Sequence, residues 1–231
     1  MNHLAAISDL KPLGVLTPWQ RETVESVPVA DHHVFAQTRQ SVRRYAPDAV
    51  EDNVLDRLFR AAVAAPSAHN RQPWRFVVVT EASPKQRIAE AMGAKLRADR
   101  LADGDTHGDV EADVARSRSR ICEAPVLVFS FVTMEDMDAY PDAKRQAAEY
   151  QMSVQSTAMA TQNLLVAAHA EGLGACIMCA PLFCSDAVTQ VIGAPRNWTA
   201  QSLVTLGWPG IVRPPRERLP LSAVVWQLRS E

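Results

Sequence analysis

A long stretch of helical sequence between Ala147 and Glu171 is the feature that most restricts how this chain can fold. Most of its residues are apolar or small, and most of its polar residues are uncharged, among them Gln151 and Asn163. A helix that is apolar on most of its sides is normally buried, because it has no wide polar face for solvent. Gly172 follows directly and is typical of a C-terminal cap. We therefore predict one long, buried central helix.

The rest of the chain alternates between helical and strand patterns, without repeats or low-complexity segments. Apolar residues at helical spacing and short apolar runs predict four further helices and five strands. The helices are expected at 51–65, 85–99, 109–122 and 185–192, and the strands at 75–80, 126–133, 175–179, 202–206 and 224–228. The last strand has no obvious neighbour within the domain, so we expect it to reach a partner subunit.

Length, charge and the distribution of apolar residues limit the classes of protein to which this chain can belong. The 231 residues suffice for one large domain with a sizeable core, and the net charge of −2 predicts neither nucleic acid nor an anionic membrane as a partner. The longest apolar run, Pro125 to Val132, is too short to span a bilayer. The first residues lack the basic and apolar regions of a secretory signal. We therefore expect a cytoplasmic protein.

The segment from Pro66 to Trp74 joins a helical pattern to a strand pattern and contains two carboxamides and two prolines. Amides donate and accept hydrogen bonds at once, so Asn70 and Gln72 suit a flat heterocycle whose edge alternates between donors and acceptors. Pro66 and Pro73 stiffen the segment and reduce the ordering cost of binding. On composition alone, a capped helix end followed by a turn is an equally open interpretation.

Two basic clusters lie near opposite ends of the chain, at Arg39–Tyr45 and at Arg213–Pro220. Guanidinium groups and a hydroxyl can satisfy a phosphate through charge-assisted hydrogen bonds, each contributing roughly 1.5–3 kcal/mol when well made. The two clusters could converge on one anion. The alternative interpretation is a solvated basic surface at a helix end.

Cysteine and histidine residues give no complete metal site. Cys176 and Cys179 form a Cys-x-x-Cys pair, but no second pair completes a zinc site, and apolar neighbours favour buried small side chains over a redox pair. His32, His33 and His169 are interpreted as structural or solvated. His69 is left open between a residue on the substrate face of a cofactor and a cap of the preceding helix.

Taken in order, three motifs resemble the FMN-dependent nitroreductase-like flavoprotein family over Arg39 to Pro220. They are Arg-x-Ser-Val-Arg-x-aromatic, Ala-Pro-Ser-x-x-Asn-x-Gln-Pro-Trp and Arg-x-Arg-Leu-Pro. The Ser-Ala-His-Asn step is most similar to the branch that includes the reductase domain of coenzyme F420 biosynthesis. The resemblance implies an α+β fold, with a central mixed sheet of four or five strands flanked by helices, in an intertwined homodimer. It places an N-terminal extension at 1–30 and the FMN-binding domain at 31–231.

The resemblance also implies a cofactor site. Arg39 and Ser41 would bind the FMN phosphate together with Arg216 and Arg218. Arg43 would lie near N1 and O2 of the ring, where a guanidinium stabilises the negative charge that develops on reduction. No side chain would act as a catalytic group, because the chemistry belongs to the cofactor.

The remaining site residues would come from a loop and from one backbone step. The loop residues Pro66, Ser67, Asn70 and Gln72 would reach over the ribityl chain and ring from the opposite subunit. The family's backbone contact to N5 would fall at Cys179 and Ala180. Many members have an acidic residue followed by glycine there, so this chain departs from the family in the electrostatics near N5.

The expected reaction is ping-pong: NAD(P)H reduces the flavin and leaves, and a small nitroaromatic, quinone or conjugated enone acceptor takes its place. The polar stretch Leu101–Gly108 is predicted as a loop and a candidate lid. Three alternatives remain open. They are a biosynthetic reductase of a dehydro-intermediate, an enzyme that fragments flavin with oxygen, and a flavin-binding protein without turnover.

Overall fold

The computed structural model describes residues 36–212, 214 and 216–227, so the predicted N-terminal extension at 1–30 lies outside the described residues. Five helices and four strands form the main elements. In chain order they are α1 Asp52–Val63, β1 Trp74–Val79, α2 Ala82–Ala102, α3 His107–Glu123, β2 Val126–Thr133, α4 Ala143–Ala170, β3 Gly174–Met178, α5 Ser185–Ile192 and β4 Trp198–Gly207. Short 3-10 turns occupy Ala68–Asn70, Ala180–Phe183 and Leu221–Ala223.

The sheet has the strand order β1-β2-β4-β3, and each of its three strand pairings is antiparallel. The α+β prediction is therefore confirmed, with four strands in the sheet. The parallel component of the predicted mixed sheet is limited to one isolated bridge between Ser41 and Ala175, outside the named strands. The segment around Ser41 thus lies beside β3 at the edge of the sheet.

Helices cover both faces of this sheet. Alternate residues of a strand point to opposite faces, so one strand contributes to the cores on both sides. Val126 and Val128 of β2 join the core beneath α1 and α4. Leu127 and Phe129, between and after them, join the core that α2, α3 and α5 cover. Every residue of β2 is consequently buried, which is why the strand is a near-continuous apolar run, interrupted by Ser130 and ended by Thr133.

The central helix α4 is where the sequence predicted it, but burial holds for one face only. Residues such as Ala160 and Leu164 are buried, whereas residues that follow one another at about one helical turn form an exposed stripe along another side of the helix. This stripe consists of Ala147, Gln151, Gln155, Ala158, Met159 and Gln162. Gly172 follows the helix with a φ of +79°, as a left-handed helix end requires. Because its residues are uncharged, the exposed stripe looked like an interior face in the sequence.

No helix in the described ranges is long and apolar enough to cross a membrane.

Two predictions about the connections and the C-terminal segment differ from the structure. The predicted loop Leu101–Gly108 is shorter than expected: α2 runs to Ala102 and α3 begins at His107, so only residues 103–106 connect them. Thr106 caps α3 by accepting a hydrogen bond from the Asp109 N–H at 3.2 Å. The polar residues of this stretch lie on exposed helix ends, which leaves no lid of the predicted length.

The predicted strand at 224–228 is also absent from its described part, 224–227. A 3-10 turn at Leu221–Ala223 precedes these residues, and their side chains are exposed. Trp226 is 81% exposed. A segment with no sheet edge to pair with has no reason to become a strand within one chain.

Close contact with glycine fixes the segment that carries the N-terminal basic cluster. The Val42 N–H donates to Ala175 O at 3.0 Å. A Cβ on Gly174 would lie 2.7 Å from Val42 Cγ1, closer than side chains approach. The Tyr45 hydroxyl donates to Val42 O at 2.7 Å and also lies 2.7 Å from Thr205 Oγ1. Burial raises the pKa of this phenol far above its ordinary value, against the opposing effects of the Thr205 hydrogen bond and Arg43.

The Gly174→Ala variant should be less stable than the wild type by about 1–3 kcal/mol, because the added methyl group overlaps Val42. Urea denaturation measures the difference. The matched control is Gly108→Ala, where the nearest atom to the new Cβ is Thr106 Oγ1 at 4.0 Å, and no loss is expected. Equal stability of the two variants would contradict the close-packing argument.

Candidate active site

A cleft of about 210 Å³ lies where the segment 39–42 passes the end of α4 and the start of β3. Arg39, Gln40 and His169 supply its polar lining, and glycine and apolar residues supply the rest. None of the described residues that line it is acidic. A donor-rich cleft with a guanidinium and no carboxylate suits an anionic group.

His169 belongs to this cleft, which sequence analysis did not foresee. Its Nε2 lies 2.8 Å from Thr38 Oγ1. Burial, and then the positive charge of Arg39, lower the pKa of the His169 imidazole. The apolar context of α4 suggested a structural residue. The sequence feature that could have identified His169 as a site residue is its place in the last helical turn before Gly172, where the chain reverses towards the Arg39 segment.

Val42 also lines the cleft, whereas Ser41 and Arg43 of the N-terminal motif flank it without lining it. Val42 is buried, and Ser41 and Arg43 on either side of it are exposed. Such alternation is typical of an extended segment. The structure therefore presents Arg39 towards the cleft and Ser41 and Arg43 towards solvent along the edge strand β3.

The C-terminal segment starts beside the same motif. The Gly210 N–H donates to Arg44 O at 3.0 Å, and the Ala46 N–H donates to Trp208 O at 2.9 Å. Pro209 and Val212 line the cleft together with Arg39. Arg216 and Arg218, further along, are exposed, and no ion pair of either is found among the described residues. The structure thus brings the two basic segments together without joining these arginines to Arg39.

The loop between α1 and β1 has an unusual backbone. His69, Asn70 and Gln72 have φ values of 50°, 55° and 50°, in the left-handed region that non-glycine residues rarely adopt. Such conformations cost about 1–3 kcal/mol each and persist only where surrounding contacts fix them. Ser67 Oγ accepts a hydrogen bond from the Gln72 N–H at 3.1 Å.

This backbone presents its side chains to solvent. The side chains of His69, Asn70 and Gln72 are exposed, and so is Pro66. Gln72 Nε2 lies 3.4 Å from Asn70 Oδ1, which places the two carboxamides side by side. α1 closes through the Ala64 N–H, which donates to Ala62 O, so its end does not depend on His69. The arrangement fits a surface that offers amide edges to a ligand.

The backbone step after β3 is open as well. β3 ends at Met178, and a 3-10 turn begins at Ala180. Cys179 and Ala180 are exposed, and the first N–H groups of a helical turn have no partner within it. No charged residue occurs between Gly174 and Ser185. An uncharged surface with available N–H groups therefore follows the edge strand.

The cysteines near this step are free thiols. Cys176 and Cys184 are buried, and Cys179 is exposed. Burial raises the pKa of the Cys184 thiol. In the described part of the chain, no group of three His, Cys, Asp or Glu side chains is arranged to hold a metal ion.

A second cavity, of about 310 Å³, lies between α2, α3 and the turn Ala180–Phe183. Its lining is mostly apolar and includes Met92, Ile121 and Met178. The charged groups at its rim are paired, as Lys95 with Asp99 at 2.5 Å. The cavity therefore offers room for an uncharged group next to Ala180.

Comparison with known proteins gives consistent matches. The family model described as the Nitroreductase family matches residues 36–208. A Thermus thermophilus protein named NADH dehydrogenase is 30% identical over 224 residues, which cover 87% of this chain and 97% of that protein. The 5,6-dimethylbenzimidazole synthase of Rhodobacter capsulatus is 33% identical over 173 residues, covering 74% of this chain and 80% of that enzyme.

Solved structures share the fold. One is a Desulfovibrio desulfuricans protein described as a nitroreductase and solved in complex with FMN. It superimposes with a TM-score of 0.65 at 22% identity and covers 89% of this chain and 99% of its own. The family model and the sequence matches over most of the chain identify this protein as a member of the nitroreductase family of oxidoreductases.

Proposed function

We propose that this protein is an FMN-dependent oxidoreductase that takes electrons from NAD(P)H and passes them to a small conjugated acceptor. The observation that carries the proposal is the layout of β3. The arginine-bearing segment bonds to its first residues at Ala175, and the exposed backbone of Cys179 and Ala180, at the start of a 3-10 turn, follows its last residue. At about 3.3 Å per residue, Ala175 and Ala180 are on the order of 16 Å apart along the chain. An extended molecule with an anionic tail suits this layout.

The anionic tail would be the FMN phosphate. Arg39 and Ser41 would bind it, with Arg216 and Arg218 joining from the C-terminal segment that starts beside them. The acid-free lining of the Arg39 cleft supports this assignment, because a carboxylate there would repel the phosphate. Arg43 is exposed along the same edge and would stabilise negative charge on the pyrimidine side of the ring.

The other end of the site would hold the reactive part of the cofactor. The exposed backbone at Cys179 and Ala180 would donate a hydrogen bond to N5 and orient the ring. Pro66, Ser67, Asn70 and Gln72 would cover the ribityl chain and ring. Bound FMN would supply the two-electron chemistry that no side chain of this chain offers. The protein's own contribution is orientation, charge stabilisation and exclusion of water.

A second copy of the chain would complete the site. The Arg39 cleft of about 210 Å³ is smaller than the roughly 300–1,000 Å³ typical of cofactor pockets. The exposed stripe of α4 is uncharged, and Leu219, Leu221 and Trp226 are more than two-thirds exposed, at 72%, 76% and 81%. Apolar exposure on this scale marks an interface. We infer a homodimer in which α4 packs against its partner.

The acceptor would be small, flat and uncharged. The sequence between Gly174 and Ser185 has no charged residue, and the cavity beside Ala180 is lined mostly by apolar residues. Quinones, nitroarenes and conjugated enones meet these requirements. The four free cysteines are consistent with a reducing compartment, so we expect the enzyme in the cytoplasm.

One relative favours a second candidate function. The 33% identity to 5,6-dimethylbenzimidazole synthase makes oxygen-dependent fragmentation of the flavin the runner-up reaction. This chain also has Cys179-Ala180 where many family members place an acidic residue and glycine. The two reactions differ in whether the flavin survives turnover.

Arg39→Ala and Arg216→Ala should each weaken FMN binding by about ten-fold or more, since each removes a charge-assisted contact to the phosphate. Quenching of flavin fluorescence gives the dissociation constant. Arg87→Ala, which removes an exposed guanidinium from α2, is the matched control and should bind like the wild type. Unchanged affinity in both site variants would refute the phosphate assignment.

With FMN bound, the protein should oxidise NADH or NADPH in the presence of 1,4-naphthoquinone or nitrobenzene, and the visible flavin spectrum should persist through many turnovers. Absorbance at the nicotinamide and flavin bands follows both events in one sample. Loss of the flavin spectrum in air would favour the runner-up reaction. Tight FMN binding without oxidation of either nucleotide would instead indicate a binding protein.

Met159→Glu should convert the dimer to a monomer, because it places two charges against each other at the centre of the α4 stripe. Sedimentation velocity measures the mass. Gln86→Glu adds the same charge to the exposed side of α2 and should leave the assembly intact. A wild-type protein that sediments as a monomer with FMN bound would overturn the inferred interface.

A further inference from the structure

The loop from Pro66 to Pro73 needs an external support. Three of its residues adopt left-handed φ values, and most of its side chains are exposed, so its few internal hydrogen bonds need support from outside the loop. One support is Ser156 of α4, whose Oγ accepts a hydrogen bond from the Ala68 N–H at 3.3 Å, and the other is the segment 134–140, which connects β2 to α4. The inference below rests on the proposed function only in taking this loop as the one that covers FMN.

Two ion pairs join the loop region to the segment 134–140. Arg71 Nη2 lies 2.7 Å from Asp138 Oδ1. Arg75 Nη2 lies 3.6 Å from Asp136 Oδ2, and Arg75 Nη1 donates to Gln72 O at 3.1 Å. Arg71 therefore holds the strained backbone at its middle, and Arg75 holds it at its end through Gln72 O. These contacts can fix the loop only if the carboxylates of Asp136 and Asp138 are themselves held in place.

α4 holds the segment through three polar side chains spaced about one turn apart. Glu149 Oε1 accepts a hydrogen bond from the Asp138 N–H at 3.2 Å. Gln146 Oε1 accepts one from the Tyr140 N–H at 3.0 Å, and Ser153 Oγ donates to Met134 Sδ at 3.2 Å. Of these contacts, only the one from Glu149 reaches the residue that pairs with Arg71.

Glu149 is an unexpected residue for its position. It is 1% exposed, and its Oε2 has no hydrogen-bond partner among the described residues. A buried carboxylate with an unsatisfied oxygen is unfavourable, and an apolar residue would pack there at lower cost. The bond from Oε1 to the Asp138 backbone is the contact that explains why a carboxylate is found here.

We propose that Glu149 is a positioning residue for the cofactor loop. By fixing the backbone of Asp138, it orients the carboxylate that holds Arg71, and through Arg71 it sets the places of the Asn70 and Gln72 carboxamides. The line of contacts runs from the central helix through the β2–α4 connection to the ligand-facing loop. Removing Glu149 therefore loosens the loop although Glu149 itself does not touch the ligand.

The first test measures the loop itself and needs no cofactor. Trypsin cuts after arginine, and the exposed Arg71–Gln72 bond reports how ordered the loop is. In full-length protein, with and without added FMN, Glu149→Leu should raise the rate of this cleavage about ten-fold, as mass spectrometry of the fragments shows. Glu149→Gln keeps an acceptor at the same place and should restore the wild-type rate.

The control separates positioning from general stability. Lys85 is also buried, and its Nζ donates to Ala124 O at 2.7 Å on the side of the sheet away from α4. Lys85→Met should lower the melting temperature without changing cleavage after Arg71. If Glu149→Leu lowers the melting temperature and leaves that cleavage at the wild-type rate, as the control does, the inference is wrong.

The second test measures FMN affinity in a double-mutant cycle. Glu149→Leu and Asp138→Asn should each weaken binding about ten-fold, and the double variant should lose no more than either single variant, because both act through Arg71. Additive losses would overturn the inference. If Glu149→Leu does not fold, the partly exposed Asp138→Asn decides alone: wild-type affinity and a wild-type cleavage rate would reject the line of contacts. If the wild-type protein binds no FMN, and the variants still lose loop order, the proposed cofactor is refuted but the positioning role is not.

Discussion

The contact between Val42 and Gly174 is the constraint on which the site depends. The segment that carries Arg39, Ser41 and Arg43 has few internal contacts and stays at the sheet edge because Val42 bonds to Ala175 and packs where Gly174 has no side chain. The same approach brings Arg39 to His169 and to the start of the C-terminal segment. Because Gly174 has no side chain, the Arg39 segment, the end of α4 and the start of the C-terminal segment can meet at β3.

The site combines two kinds of support. The basic end is fixed by backbone bonds and close packing, which tolerate little change. The amide-bearing loop is fixed through ion pairs and a buried carboxylate, and its backbone is strained. In the proposed function, the rigid basic end would hold the anionic tail of the cofactor and the exposed loop would lie over its ring.

Much of this could be predicted from sequence, and the failures have physical reasons. The helices at 51–65 and 185–192 and the strand at 126–133 were found because their apolar residues recur at clear spacing. The long helix was placed correctly, but its exposed stripe is uncharged and could not be told from an interior face. The strand predicted at 224–228 is absent over its described part, 224–227, because apolar composition does not supply a neighbouring strand. His169 was overlooked because its hydrogen-bond partner Thr38 is distant in sequence.

The motifs propose which residues form the site, but they do not predict how those residues are held. Arg71, Asp138 and Glu149 lie in no motif, and only the fold brings them together. Left-handed backbone at Gln72 has no signature in sequence either, since glutamine is not a residue that favours it.

The strand order has a consequence for how the protein is made. β2 and β4 form the centre of the sheet, and their paired Ser130 and Ser202 are 72 positions apart. As the chain leaves the ribosome, β2 and the long helix are complete well before β4 exists. One hydrogen-bonding edge of β2 therefore stays unpaired until β4 is made, and contacts of such wide separation form slowly. An unpaired strand edge in a newborn chain is a site at which aggregation can begin.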